Sequence, residues 1–285
     1  HLVESDFPLS YLKYSTVTSG AGLNDKVIFI VFKNQESSPF LCLKTVRNYG
    51  AKQSILRNFD NLRKLNNLTR GGQHAQLFAQ ALYLHDDGEN VFCIETACLG
   101  ERIKLNEETL ETVVGEYTGF QEYAAGKSVG ELGDMKDLAE EAFVGLGLDE
   151  SVRRQLLEYT AKLSATNKIK LPRVVQHGDL TLDNLLWHED GIRIIDYDYV
   201  GSSDIPGFDL FGLFHRFDQS NLLKLFKEYF PVYFEKIGAK FEGKNYRGLM
   251  FLYHLIEHTQ GRLHSSEDTS SEQIIIDFER LYPQP

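Results

Sequence analysis

One loop and the short ribbon behind it constrain this chain more than any other segment. HGDLTLDNLL (residues 177–186) sets Asp179 and Asn184 five positions apart, and after the turn HEDG an apolar run ends in IIDYDYVG (194–201), which carries Asp196 and Asp198. The runs 184–187 and 192–195 flank that turn and read as the two strands of a hairpin. A hairpin brings the exit of its second strand back beside the entrance of its first, so Asp196 returns next to Asn184. Aspartate and asparagine near turns are ordinarily caps or turn residues. A loop aspartate, an asparagine at a strand entrance and an aspartate at the matching strand exit form a much rarer set.

Around this ribbon the hydrophobic period changes along the chain. Residues 11–18, 26–33 and 40–46 read as strands, separated by the turn signals SGAG and NQESS. Ile55, Leu56, Phe59, Leu62 and Leu65 then recur at three and four, predicting an amphipathic helix. Two more strands are expected at 75–84 and 90–95, split by HDDG. Beyond Cys98 the pattern turns helical: one face from Leu110 to Ala124, an acidic stretch at 131–141, a helix near 150–164, and helices from Phe208 onward. Leu249 to Ile256 is apolar almost all round and so is expected to be buried, and 264–273 reads as a polar loop. The expected class is α+β, a small β-rich lobe at 1–97 followed by a larger, mainly helical lobe at 98–285. Junctions of this kind favour ligand clefts.

Phosphoryl transfer asks for few protein groups: a carboxylate beside the attacking hydroxyl, oxygen ligands for Mg²⁺, and positive or backbone donors on the phosphates. Asp179, Asn184 and Asp196 supply the first two kinds, and an amide oxygen with a carboxylate suits a hard, oxygen-seeking cation. The combination H-G-D-x4-N, hairpin, apolar run and Asp resembles the catalytic and metal-binding segments of the aminoglycoside phosphotransferase and choline kinase family, relatives of the protein kinases. Gly178 stands where protein kinases carry Arg, and Tyr197 follows the second aspartate.

The resemblance implies a protein-kinase-like two-lobe fold and an ATP- (or GTP-) and Mg²⁺-dependent transfer onto a hydroxyl of a small molecule such as an aminoglycoside, amino alcohol or sugar. By it, Asp179 is the catalytic carboxylate and Asn184 and Asp196 are Mg²⁺ ligands. His177 braces the loop, and Asp209 lies where the family places a buried aspartate that ties the loop down, with a helix cap as the simpler role. Asp183, Asp198 and Glu257 are candidates for contacts to the acceptor or around the metal. TSGAGLNDKVIFIV (18–31) resembles the family's hairpin over the phosphates, with Gly20 and Gly22 letting backbone amides approach. Lys44, inside the apolar strand FLCLKTV, matches the lysine on the α- and β-phosphates. In NVFCIETACLGERI (90–103) the Glu95 carbonyl and the Ala97 amide would meet a purine edge. The helix normally offers that lysine a glutamate. Here Asn58 stands in its place, so either Asp60, two residues on, substitutes, or Lys44 is held less firmly. A nucleotide-binding module without turnover is the alternative that this departure raises.

Composition narrows the rest. A formal net charge of −11 argues against a general nucleic-acid binder, which needs basic stripes. Cys42, Cys93 and Cys98 form no framework or metal spacing and read as reduced thiols of a cytoplasmic protein. No apolar run is long enough for a membrane span, and HLVESDFPLS lacks the zones of a signal peptide. A small-molecule acceptor is the expected partner. Glu107, Glu108, Glu111, Glu116 and Glu122 occupy the region that forms the acceptor pocket in the family, or else a solvated helix face. Oligomeric state has no sequence signal.

Overall fold

The computed structural model describes residues 12–18, 26–104, 106–127, 131–132, 138–140, 143, 148–164, 168–218, 221–242, 246–259 and 270–282. The chain divides into two compact units, His1–Lys104 with Leu182–Val200, and Leu105–Thr181 with Gly201–Pro285. The ribbon thus belongs to the first unit, and the loop residues ahead of it belong to the second.

In the first unit, β1 (Leu12–Thr18), β2 (Lys26–Lys33), β3 (Pro39–Val46), β4 (Ala81–Asp86) and β5 (Val91–Thr96) form an antiparallel sheet in the order β1-β2-β3-β5-β4. Helix α1 (Lys52–Thr69) lays Ile55 and Phe59 on Val91 and Cys93, with Val46, Leu56, Ala81 and Leu84 around them. These apolar side chains hold helix to sheet, each contributing about 1.5–3 kcal/mol when fully buried. Two asparagines, Asn58 and Asn61, are buried on the same helix. A second small sheet runs β10-β9-β6, from β6 (Glu101–Arg102), β9 (Leu185–His188) and β10 (Gly191–Ile194). β9 and β10 pair from Leu185↔Ile194 to His188↔Gly191, the expected hairpin.

The strand expected at 75–84 is shorter and later. A turn of 3-10 helix at Ala75–Leu77 precedes β4, and side chains hold the backbone between them alongside a Phe78–Ile194 bridge and the Thr96 amide on the Gln80 carbonyl. Asn66 Nδ2 donates to the Ala79 carbonyl at 2.7 Å, its Oδ1 accepts from the Ala81 amide at 2.8 Å, and the Tyr197 hydroxyl accepts from the Ala79 amide at 3.0 Å. Hydrophobic alternation does not report such capping.

The second unit contains helices α2 (Glu107–Ala125), α3 (Glu150–Ser164), α4 (Phe208–Phe217), α5 (Leu222–Lys236), α6 (Arg247–Thr259) and α7 (Ser271–Leu281). A small sheet, β11-β8-β7, is built from β7 (Glu131–Leu132), β8 (Lys168–Pro172) and β11 (Lys240–Glu242). β7 falls in the stretch read from sequence as acidic and β11 in one read as helical, because two- and three-residue strands are too short to show a period, while the five-residue β8 lies between the elements read. Asn106 caps α2 reciprocally with Thr109, at 2.9 and 2.8 Å, with Glu107 and Glu108 in the first turn. Ser270, inside the stretch read as a loop, caps α7, its side chain accepting from the Gln273 amide. The core is aromatic: Tyr117, Phe120, Phe208, Phe211, Phe214, Phe226, Phe230, Tyr233, Phe251 and Tyr253 are all fully buried. Leu249 to Ile256 is buried throughout, as the all-round apolar pattern requires. Gly207 has φ +86°, and a Cβ there would come within 2.6 Å of the Phe230 ring, so only glycine fits. Among the described residues no helix is long and apolar enough to cross a membrane.

Candidate active site

In the first unit, Lys44 stands on β3, paired to Cys93 of β5, with its side chain buried. An ammonium in an apolar sheet needs an anion. The anion is Glu95, two residues along β5: Nζ lies 2.8 Å from Oε1, with side chains 7% and 6% exposed. Burial works against the charge on Lys44, but the Glu95 carboxylate outweighs it and holds the ammonium protonated well above the ordinary lysine range. Asn58 completes the arrangement. Its Oδ1 accepts from Lys44 at 3.3 Å and from the Tyr197 amide at 3.2 Å, and its Nδ2 donates to Glu95 Oε2 at 3.4 Å. The Tyr197 ring faces the Lys44 ammonium at 5.5 Å.

Asp60 does not substitute for the helix glutamate. It is exposed and lies 3.9 Å from Arg63, because two positions along a helix turn it to another face. The acid comes from the sheet instead. Alternation along β5, with Val91, Cys93 and Glu95 buried, carried the signal, since a glutamate in phase with two buried apolar residues points inward. The Ala97 amide donates to the Phe40 carbonyl at 3.1 Å, and the Glu95 backbone pairs with β3 on one side and β4 on the other. The Glu95 carboxylate is turned to Lys44.

The Asp196–Tyr197–Asp198 segment is stitched to α1. Besides the Asn58 bond, Asn61 Nδ2 donates to the Tyr197 carbonyl at 2.9 Å. The Tyr197 hydroxyl donates to the Ile194 carbonyl at 2.7 Å, fixing the ring under the turn. Asp196 has φ +63°, a left-handed conformation that a non-glycine residue keeps only where its surroundings impose it. Its side chain stays 49% exposed. The Ile195 amide donates to the Asn184 carbonyl at 3.0 Å, so Asn184 and Asp196 do stand on facing ends of the ribbon. Asp198 accepts from Lys26 at 2.6 Å and from the Ser54 hydroxyl, and Lys26 lies 3.4 Å from Asp196. Asp183 is exposed and pairs with exposed Arg102 at 2.9 Å, a surface pair worth about 0–1 kcal/mol. Gly20 and Gly22 lie outside the described residues.

A hard cation fits these residues. Asn184 offers an amide oxygen and Asp196 a carboxylate, and Asp198 keeps one buried carboxylate oxygen that accepts no hydrogen bond among the described residues. Burial pushes the three thiols up to about 12 at Cys42, about 12 at Cys93 and about 11 at Cys98, with Glu95 adding to each, so they stay neutral and take no part. His188, Glu189 and Asp190 cluster at the exposed ribbon turn, where acidic groups commonly gather without an ion.

In the second unit, Asp209 is buried in the first turn of α4. Its Oδ2 accepts from the His177 amide at 2.6 Å and from the Tyr117 hydroxyl, and its Oδ1 accepts from the Gly178 amide at 2.8 Å. It is no helix cap; Gly207 holds that position. Burial pushes the carboxyl above its ordinary range despite these donors. Gln176, Gln121 and Tyr233 extend the network: Gln176 donates to Gln121 at 2.5 Å, and Gln176 Oε1 accepts from the Asp209 amide at 3.3 Å. Gly178, at φ +82°, allows both loop amides to reach one carboxylate. Asp179 follows, half-buried. Asp209→Ala, which strands two buried amides and a hydroxyl, is expected to destabilise by about 2–4 kcal/mol in urea titration. Tyr117→Phe is expected to cost about 1 kcal/mol. Glu257 is buried against Arg216 at 3.1 Å, so its charge is met within the unit. Glu107, Glu108, Glu111 and Glu122 are exposed, the solvated face of α2.

Residues 124–241 match the sequence pattern of the phosphotransferase enzyme family, a stretch that contains both the loop and the ribbon. Among solved structures, a thermostable mutant of aminoglycoside phosphotransferase APH(4)-Ia in its apo form superposes with a TM-score of 0.58 at 15% identity, covering 95% of this chain and 96% of that one. The fold is that of the aminoglycoside phosphotransferases. APH(3'')-Id from Streptomyces rimosus, in complex with ADP and streptomycin, has a TM-score of 0.50 at 16% identity, covering 86% and 92%. A type VIII aminoglycoside-3'-phosphotransferase has 0.51 at 16%, covering 90% and 96%. No curated protein sequence matches the chain. Sequence reasoning missed four groups that contact Lys44 or the Asp196–Asp198 turn: Lys26, Ser54, Asn61 and the Glu95 carboxylate. Only Glu95, by alternation, and the asparagines, by lying on a buried helix face, left a trace.

Proposed function

We propose that the protein transfers the γ-phosphoryl group of ATP (or GTP) to a hydroxyl of a small molecule. The observation that carries this reading is the single amide, Asn58, that joins a buried β3 lysine to the Tyr197 amide, next to the left-handed Asp196 at the ribbon exit. Such a link ties a phosphate-binding cation to a metal-binding turn in one rigid piece, and phosphoryl transfer depends on that positioning. A lysine serving packing alone has no need of it.

In this reading the first unit takes the nucleotide. Lys44 meets the α- and β-phosphates, with Glu95 and Asn58 fixing its direction, and the backbone around Gly20 and Gly22 covers them. Asn184 and Asp196 hold Mg²⁺, which supplies charge neutralisation on the phosphates when bound. In the second unit Asp179 orients the acceptor hydroxyl and accepts its proton, while Asp209 keeps the loop ahead of it in place through the His177 and Gly178 amides. The acceptor class follows from likeness to enzymes solved with ADP and streptomycin or ADP and hygromycin B: an aminoglycoside or another polyhydroxylated or amino alcohol compound. The reading as a binding module without turnover drew on the missing helix glutamate, and Glu95 supplies that carboxylate from another element.

Thermal shift with ATP and GTP, each with and without Mg²⁺, tests the nucleotide half. A metal-dependent rise in transition temperature is expected with at least one of them. No shift with either nucleotide, at millimolar concentration, would remove the reading.

A further inference from the structure

Lys26 opens β2, and none of the groups around Lys44 accounts for it. Its ammonium is 2.6 Å from Asp198 Oδ2 and 3.4 Å from Asp196 Oδ1, with the Lys26 and Asp198 side chains 10% and 12% exposed. The Ser54 hydroxyl donates to the same Asp198 oxygen, and the other Asp198 oxygen is buried without a hydrogen bond among the described residues. A protein cation therefore sits on the carboxylates of the turn assigned to Mg²⁺.

We propose that Lys26 is the resident counter-ion of the Asp196–Asp198 pair and passes to a nucleotide phosphate when the metal enters. Two carboxylates and one ammonium leave a single net negative charge, a weak attraction for a free divalent ion that must also approach the ammonium. A metal–triphosphate complex changes the balance. Its phosphate oxygens offer the ammonium a new anionic partner, which frees the carboxylates for the ion. The site thereby selects the metal–nucleotide complex over the metal alone, and Lys26 acts as a second phosphate-binding lysine besides Lys44. This inference rests on the phosphotransferase reading above and adds the order in which its ligands are accepted.

The test measures Mn²⁺ binding from the free-ion paramagnetic resonance signal, without and with ATP, in wild type and Lys26→Met. The variant is expected to bind Mn²⁺ alone about tenfold more tightly, having lost a competing cation. It is expected to bind ATP with Mn²⁺ about tenfold more weakly, having lost a charged hydrogen-bond donor. Opposite shifts distinguish this role from a structural one, which weakens both together, and Lys26→Arg should restore the wild-type pattern. If Lys26→Met fails to fold, Lys26→Gln, which keeps a polar head against Asp198, carries the same expectation. Unchanged constants, or a parallel loss of both in a folded variant, would overturn the inference and leave the phosphotransferase reading standing. A wild type that binds no ATP with Mn²⁺ would overturn both.

Discussion

Asp179→Asn is expected to slow phosphoryl transfer by about 10²–10⁴-fold, the usual contribution of a positioned acid–base group. Nucleotide affinity should stay near the wild-type value. The split follows from where the parts lie. Asp179 belongs to the second unit, on a loop fixed through Asp209, whereas Lys44, Glu95, Asn184 and Asp196 all belong to the first. Asparagine keeps the size and one acceptor oxygen but cannot take the hydroxyl proton. The loss should therefore appear in kcat with nucleotide binding by calorimetry unmoved. Near-normal turnover would show that the hydroxyl is activated elsewhere.

Glu95→Ala is expected to have the largest effect on stability, about 3–5 kcal/mol, because it strands a buried ammonium. Among the described residues, Lys44 would then face the neutral Asn58 oxygen and the Tyr197 ring, with the Asp196 carboxylate acting from further off. Urea titration checks the magnitude. Replacing both partners with apolar residues, as in Lys44→Met with Glu95→Leu, should recover most of the stability, since neither charge then needs to leave water. Nucleotide binding should not recover with it. A second readout comes from the neighbouring thiols. Burial chiefly, and the Glu95 carboxylate in addition, hold Cys42 and Cys93 at about 12, so removing that carboxylate should lower both values and speed their alkylation at alkaline pH. A variant as stable as wild type would mean that the pair contributes nothing to the fold.

Much of this arrangement was legible before any coordinates. The ribbon could be read because HEDG lies between two short, mostly apolar runs, and the helix because Ile55, Phe59, Leu62 and Leu65 repeat at helical spacing. Both are local patterns. The partner of Lys44 was not legible in the same way, because the family pattern places the acid on the helix while this fold draws it from a strand 51 positions further along. Lys26 was harder still. It joins residues 170 and 172 positions away, and no local period marks a side chain that crosses from a strand start to a turn. Glu257 illustrates the converse. From sequence, a carboxylate on a helix is available to an amine; in the fold Arg216, 41 positions earlier, holds it.

The most direct measurement follows the γ-phosphoryl group itself. Radiolabelled ATP and GTP would be incubated with the protein, Mg²⁺ and a panel of aminoglycosides, amino alcohols and sugars, with Asp179→Asn in parallel. Label should move to the hydroxyl of at least one acceptor in wild type, stop when the metal is chelated, and nearly vanish in the variant. Equal transfer by wild type and variant, or nucleotide bound tightly with no label moved to any acceptor, would contradict it.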